Sequence, residues 1–421
     1  MGIQMIGIDH SLASVKIREQ FALTVSQAGR AMEEAKKQPG IKGCVILSTC
    51  NRMELYVSAE EDVCLPKLLE CICRFPAAAR EYAPFFQIRQ GQEAAAHLMY
   101  LAAGLKSRIL GEDQILSQVK DALKRARELY CTDPLLEVLF RCAVTAGKDV
   151  KAKGLFVHTD ASAVHCALAK LREQGFSLEK KNCLVIGNGV MGKTAALALR
   201  DAGASVTVTV RQYRSGMVEI PAGCDRIHYG ERYERIPECD LVLSATVSPN
   251  LTIRKEPLAQ ARGAHGRRQI FIDLAVPRDM EEEIAQLDGV DLYDIDSFQS
   301  DAVSEQASAQ KQEAEEILAQ KIAEWKDWCE CRELIPRMQQ VGRDAADELC
   351  WRMRRVTGTF PQEEQETLYA ALNDSAQKIV DKILYTLRDG LAREELYHCV
   401  ELLEQMRYSH GSPDSEPVAR K

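Results

Sequence analysis

Residues Asn182–Arg211 read NCLVIGNGVMGKTAALALRDAGASVTVTVR. An apolar strand, Cys183–Ile186, runs into a glycine turn, then a helical stretch, then a second strand, Ser205–Val210. That succession is a βαβ unit. In Gly187-Asn188-Gly189-Val190-Met191-Gly192 the glycines permit a tight turn, close approach to a pyrophosphate, and close helix–strand packing. The helix start then presents amide N–H groups to phosphate. The competing reading is a glycine-rich turn in an α/β core with no ligand. A strand that holds a ribose 2′-hydroxyl should end in Asp or Glu. This one ends in Val210-Arg211-Gln212-Tyr213-Arg214, so a 2′-phosphate, and hence NADPH over NADH, is the better match.

Downstream, CDLVLSATV, QIFIDLAVP and VDLYDID add three buried strands, which suits a doubly wound parallel sheet. Upstream, residues 1 to about 150 alternate strand candidates (MIGIDHS, GCVILSTC, MELYVSA) with helical stretches, an α+β pattern. KGLFVHTDASAVHCALAKLREQGF reads as a connecting loop and an amphipathic helix. After Asp296 the strands stop. Val303, Ala307, Ala314, Leu318, Ile322 and Trp325 fall on one face of a single long helix, with Gln310 in the gap. Pro336 predicts a break, followed by further helices separated near GTFPQEEQ. The expected division is 1–155, an N-terminal catalytic domain; 156–296, a Rossmann domain; 297–335, a linking helix; 336–408, a helical domain; and 409–421, a disordered tail.

The chain has 421 residues, 46% hydrophobic and 28% charged, so several domains of globular composition are expected. No apolar run approaches the roughly 18 residues of a membrane span. With no signal-peptide pattern at the start, a cytoplasmic location is expected. The net charge of −8 argues against nucleic-acid binding through bulk charge and leaves room for a local basic face. The 15 cysteines form no recognisable zinc spacing, and the close pairs Cys71/Cys73 and Cys329/Cys331 are only C-x-C. No metal is expected.

One segment resists a structural reading. LSTCNRMELYV, Leu47–Val57, has strand-like flanks, but Thr49-Cys50-Asn51-Arg52 places a thiol, an amide and a guanidinium together. Beside a nicotinamide site, a nucleophilic thiol points to reduction of an acyl group through a thioester. Arg52 would lower the thiol pKa or grip a substrate carboxylate. A buried structural thiol is the bland alternative.

Here the sequence resembles the glutamyl-tRNA reductase family over nearly its whole length. GIDHSLASVKIREQFAL, STCNRMELY, HLMYLAAGLKSRILGEDQILSQVK, LVIGNGVMG, IDLAVPRDM and LYDIDS are similar to successive family signatures. The long helix resembles the family's spinal helix. The resemblance implies that Cys50 attacks the ester of glutamyl-tRNA, and that NADPH reduces the thioester to glutamate-1-semialdehyde. It implies substrate contacts from Thr49, Asn51, Arg52, Ser107, Glu112, Asp113, Gln114 and Gln118, and a role in activity for His97. His97 could equally be a core histidine, and Glu112 and Gln118 an exposed helix face. A homodimer through 336–408 and contact with a downstream aminomutase are also implied. The chain departs from the pattern at Met53, at Lys106 in place of the usual Asp, and at Val210-Arg211-Gln212. It also departs in DVKAKGLFVHTD and DKILYTLRDGL. Two other readings stay open: a Rossmann dehydrogenase acting on a free small molecule, and a non-catalytic regulatory relative.

Overall fold

A computed structural model of the chain describes residues 2–60, 63–73, 76–108, 110–112, 114–155, 163–211, 219–263, 267–298 and 305–409. Asp113, Val303, the loop residues Gln212–Arg214 and nearly all of the C-terminal tail therefore lie outside the described residues. The chain divides into two compact units, Met1–Ile322 and Ala323–Lys421.

The first unit begins with β1 (Gly2–Asp9), α1 (Val15–Arg18), α2 (Val25–Lys36), β2 (Ile41–Ser48) and β3 (Arg52–Ala59). There follow α3 (Leu65–Ile72), β4 (Gln87–Gln90), α4 (Gly91–Ala102), α5 (Gln114–Glu128) and α6 (Pro134–Ala152). The strands form one antiparallel sheet in the order β2-β3-β1-β4. Helix starts are written locally: Thr24 and Gln27 cap α2 reciprocally, and Asp133 caps α6 with Pro134 at its first turn. Every residue of β3 is buried. Its apolar side, Met53, Leu55 and Val57, packs as an ordinary core, whereas Arg52, Glu54 and Tyr56 form a polar stripe on the other side. Tyr56 meets Phe140 of α6 edge to face at 5.2 Å.

α7 (Ala163–Glu173) leads into β5 (Asn182–Ile186), α8 (Val190–Asp201), β6 (Ser205–Val210) and β7 (Asp225–His228). α9 (Arg232–Arg235), β8 (Leu241–Ser244), α10 (Lys255–Arg262), β9 (Gln269–Asp273) and β10 (Val290–Asp294) complete the layer. The six strands are all parallel, in the order β10-β9-β8-β5-β6-β7. Numbered from β5, that is the 3-2-1-4-5-6 order of a dinucleotide-binding fold. Leu184, Val185, Leu243 and Ile272 are fully buried, as strands covered on both faces require.

α11 (Glu305–Thr357) starts in this unit, where Ala314 and Leu318 are buried and Lys321 pairs with Asp149 of α6 at 3.4 Å. The break expected at Pro336 does not occur; the helix runs through it to Thr357. An internal proline costs about 3 kcal/mol. Leu334, Met338 and Val341 around it join Leu384, Leu396 and Val400 in a buried cluster, and that packing offsets the cost. The second unit consists of this half of α11 with α12 (Gln362–Gly390) and α13 (Arg393–Ser409). Arg337 grips Glu404 through two bonds of 2.9 and 2.6 Å. Among the described residues no helix is long and apolar enough to cross a membrane.

Candidate active site

The β2–β3 hairpin reverses through Cys50 and Asn51. Thr49 N–H donates to Arg52 O at 2.9 Å, and the Thr49 hydroxyl accepts from the amides of Asn51 and Arg52, both at 3.2 Å. Thr49 thus shapes the turn that carries the thiol. His10, just past the end of β1, donates its amide to Asn51 O at 3.0 Å, which sets a histidine beside the turn.

Cys50 is half-buried and packs against the apolar core of the parallel-sheet layer, whose members include Val15, Ile295 and Phe298. The thiol therefore sits where the two sheets' domains meet. Burial pushes it up to about 11, Glu112 adds to the rise, and Arg18 and Arg108 pull against it. Burial also raises the Glu112 carboxyl, opposed by Arg52 and the neighbouring Ser107 hydroxyl. His10 is pushed down to about 4 by burial, against the pull of Asp9; Arg52, Arg108 and Arg18 add to the fall.

Arg52 is placed differently from expectation. Its guanidinium is buried, with Nη1 2.9 Å from Glu54 Oε1 and 3.8 Å from Asp9, and Nη2 on the Lys106 carbonyl. The cations acting most on Cys50 are instead Arg18 and Arg108. Glu54 binds a second partner, His97 of α4, whose Nε2 donates to the same Oε1 at 2.9 Å, while Tyr56 OH donates to Oε2 at 2.8 Å. Burial works against the Glu54 carboxylate, yet His97 and Arg52 outweigh it and hold the carboxyl well below its usual range. His97 is thus buried and oriented by a carboxylate.

Ten buried side-chain polar atoms among the described residues have no hydrogen-bond partner in the protein, and five belong to residues named in or around this site. They are His10 Nδ1, Arg18 Nε, Asn51 Oδ1, His97 Nδ1 and Ser107 Oγ. Native interiors leave few such atoms unpaired, so these are atoms that a ligand could satisfy. The Ser107 loop closes tightly: Gly104, at φ +81°, would bring a Cβ within 2.9 Å of Gly111. Gln114 and Gln118 are half-buried, one turn apart on α5, and make no hydrogen bond to the Cys50 turn.

The glycine turn sits at the end of β5. Gly187 has φ +112°, and a Cβ there would lie 2.6 Å from Ala245 O. On Gly192 a Cβ would lie 2.0 Å from Gly187 O, whereas on Gly189, the cap of α8, it would meet nothing within 4 Å. Two glycines are thus forced by the protein's own backbone, and the third faces open space. Asn188 Nδ2 donates to Glu219 O at 3.0 Å. Val190 is exposed and Met191 packs on the core. Arg211, at the end of β6, is exposed, with its guanidinium 4.3 Å from the Tyr229 ring. This cradle fits a dinucleotide: an open glycine at a helix start for pyrophosphate and an arginine where an acid is usual.

Sequence reading missed Asp9, His10, Glu54, Arg18, Arg108 and Asp296. The signal for Glu54 was present, because Arg52, Glu54 and Tyr56 recur at the two-residue period of one strand face.

A thiol on a hairpin tip, set against a six-stranded dinucleotide fold, defines a nicotinamide-dependent oxidoreductase. Residues 6–154 match the model of the glutamyl-tRNAGlu reductase N-terminal domain, and residues 167–300 that of shikimate/quinate 5-dehydrogenase. Glutamyl-tRNA reductase of Alkaliphilus oremlandii is 39% identical over 78% of this chain and 97% of its own. That of Acetivibrio thermocellus is 39% identical over 80% and 99%. A solved glutamyl-tRNA reductase from Methanopyrus kandleri aligns over 97% of this chain and 99% of its own, with 25% identity and a TM-score of 0.46. The chain belongs to the glutamyl-tRNA reductase family.

Proposed function

We propose that the chain reduces glutamyl-tRNA to glutamate-1-semialdehyde and releases tRNA, with NADPH as reductant and Cys50 as nucleophile. The supporting observation is the Cys50 thiol packed against the core of the dinucleotide-binding domain, beside Asn51, whose Oδ1 is buried without a partner. A dehydrogenase of free small molecules would leave the Cys50 turn without a task. A regulatory relative would have no need of the thiol, and neither reading is favoured.

Cys50 Sγ gives up its proton and attacks the ester carbonyl carbon. The bond to the terminal ribose oxygen breaks, that oxygen takes a proton, and tRNA leaves a glutamyl thioester. NADPH, when bound, would supply a hydride to the thioester carbonyl carbon, and the aldehyde would form as the thiolate is expelled. That expulsion breaks the C–S bond and regenerates Cys50. Glu112 suits the α-ammonium of the glutamyl group, whose arrival would also offset the carboxylate's hold on the thiol. Asn51 and His97 offer free polar atoms to the reacting group, and Ser107 a hydroxyl beside Glu112; Gln114 and Gln118, and Asp113 as the family resemblance implies, are the remaining proposed substrate contacts. Gly187–Gly192 would cradle the pyrophosphate of NADPH and Arg211 would meet its 2′-phosphate. Association of two chains through the C-terminal helices, a cytoplasmic setting and delivery of the aldehyde to an aminomutase complete the reading.

Intact-protein mass after mixing with glutamyl-tRNA alone, then rapid acid quench, tests it. A glutamyl adduct on Cys50 with free tRNA is expected. Aldehyde formation with NADPH but no adduct at any time would overturn the thioester route.

A further inference from the structure

Residues 272–280, IDLAVPRDM, have no part in the chemistry described so far. Asp273, at the end of β9, shapes the turn that follows. It accepts the amide of Ala275 at 3.0 Å and those of Asp279 and Met280 at 2.8 Å. Asp279, at 0% exposure, then staples the loop after β8 at both ends. Its carboxylate accepts the Ser244 hydroxyl at 2.6 Å, the Thr246 amide at 2.9 Å and the Thr246 hydroxyl at 2.6 Å. Its carbonyl accepts the amides of Thr252 and Ile253 at 2.6 and 3.0 Å. Burying a carboxylate is costly, and all three side-chain bonds that offset the cost go to the start of one loop.

That loop, residues 245–251, lies under the glycine turn. A Cβ on Gly187 would sit 2.6 Å from Ala245 O and 3.2 Å from Thr246 Cγ2. Val247, next along, is 94% exposed. β5, β6 and β7, with the glycine turn and Arg211, form the half of the fold that suits the adenosine end of a dinucleotide. β8, β9 and β10 form the other half, so the loop lies on the nicotinamide side of the crevice. Arg278, next to Asp279, reaches the other way, to Glu19 of the N-terminal domain. Its Nε meets Oε2 at 3.0 Å and its Nη2 meets Oε1 at 2.9 Å. A second link, from Arg18 and Arg108 to Asp296 at 3.0 and 2.6 Å, joins the same two domains. One turn thus ties the loop to the domain that carries Cys50.

We propose that Asp279 is a positioning residue for hydride transfer, holding the 245–251 loop so that the nicotinamide end of the cofactor lies in register with the acyl group on Cys50. Asp279 is buried and acts through Ser244 and Thr246. The inference rests on the proposed reduction through a Cys50 thioester, and adds the residue that sets the geometry of its second half.

The two half-reactions separate this role from a general structural one. In the full-length protein, Asp279→Ala removes the staple from the turn, and Thr246→Val removes its hydroxyl partner from the loop. Mixed with glutamyl-tRNA alone, both variants should form the Cys50 adduct at the wild-type rate, read by intact-protein mass after acid quench. NADPH affinity, by isothermal titration, should change little, since the phosphates bind at the glycine turn. When NADPH meets the preformed adduct, aldehyde formation should slow about tenfold to a hundredfold, the scale on which misplaced reactants act. The double variant should be no slower than Asp279→Ala, because both changes break one link. If Asp279→Ala fails to fold, Thr246→Val decides alone. Half-reactions that slow together, or a hydride step at the wild-type rate, make the staple merely structural and overturn the inference. Weakened NADPH affinity with a wild-type rate at saturation overturns it too. If wild type makes aldehyde without any adduct, the thioester reading fails, and the inference falls with it.

Discussion

Glu54 Oε1 lies 2.9 Å from both Arg52 Nη1 and His97 Nε2, so one buried carboxylate oxygen orients both Arg52, at the end of the Cys50 turn, and His97 of α4. Glu54→Gln removes the charge and leaves the Arg52 guanidinium buried against a neutral amide. Breaking a buried pair this way costs about 3–5 kcal/mol. The folded carboxyl is held below its ordinary value, so this stabilisation is fully present above the unfolded carboxylate range. It fades as pH falls toward the depressed folded value. Urea midpoints should therefore separate wild type from Glu54→Gln at pH 7 and converge toward pH 3. A gap that widens on acidification would contradict the assignment.

Cys50 should behave as a reluctant thiolate in the ligand-free protein. With the thiol pushed up to about 11, its alkylation rate should climb about tenfold per pH unit through neutrality, without a plateau below pH 9. Glu112→Gln deletes the charge that adds to the rise, so its profile should shift to lower pH. Cys50→Ser should abolish aldehyde formation, since a hydroxyl without a base is a far weaker nucleophile. Alkylation profiles that coincide for wild type and Glu112→Gln would remove Glu112 from the neighbourhood of the thiol.

The cofactor turn separates fold from binding. A Cβ on Gly192 collides with Gly187 O at 2.0 Å, so Gly192→Ala should cost about 1–3 kcal/mol or more of stability. Gly189→Ala meets nothing and should melt like wild type, yet raise the KM for the nicotinamide cofactor if the pyrophosphate lies over that Cα. Thermal melts and cofactor KM, measured on both variants, give the comparison. Unchanged KM in a stable Gly189→Ala protein would place the phosphates elsewhere.

Arg211 should set the choice between NADPH and NADH. Loss of a charge-assisted contact is worth about 1.5–3 kcal/mol. Arg211→Ala should therefore raise the NADPH KM tenfold or more and leave the NADH KM nearly unchanged. Equal changes for both would assign the arginine to its stacking on Tyr229.

Which parts were legible follows from range and burial. β5, β8 and β9 were read from continuous apolar runs, and the Cys50 turn from polar residues between apolar flanks. β4 and β7, QIRQ and DRIH, were missed because edge strands carry charge and lack a buried face. The side on which Arg52 points depends on the register of β3 with β1, where Asp9 pairs with Arg52. No local pattern states that register. The Asp296 contacts span 278 and 188 residues, from Arg18 and Arg108, and only the assembled fold brings them together.

The C-terminal unit shows an incomplete surface. Its internal cluster consumes Leu334, Met338, Val341, Leu384, Leu396 and Val400. Ile379 and Ile383, one turn apart on α12, remain 62% and 53% exposed, and Trp351 on α11 remains 53% exposed. Association of two chains through this face would bury apolar side chains that the unit's own cluster leaves exposed. Each isoleucine buried in a dimer would contribute about 1.5–3 kcal/mol. Light scattering should report a dimer at micromolar concentration. The double variant Ile379→Glu/Ile383→Glu places two carboxylates on that face, and should give a monomer of unchanged helical content by circular dichroism. A wild-type protein that scatters as a monomer would leave those side chains without a partner and sink the proposal of a homodimer built on α11 and α12.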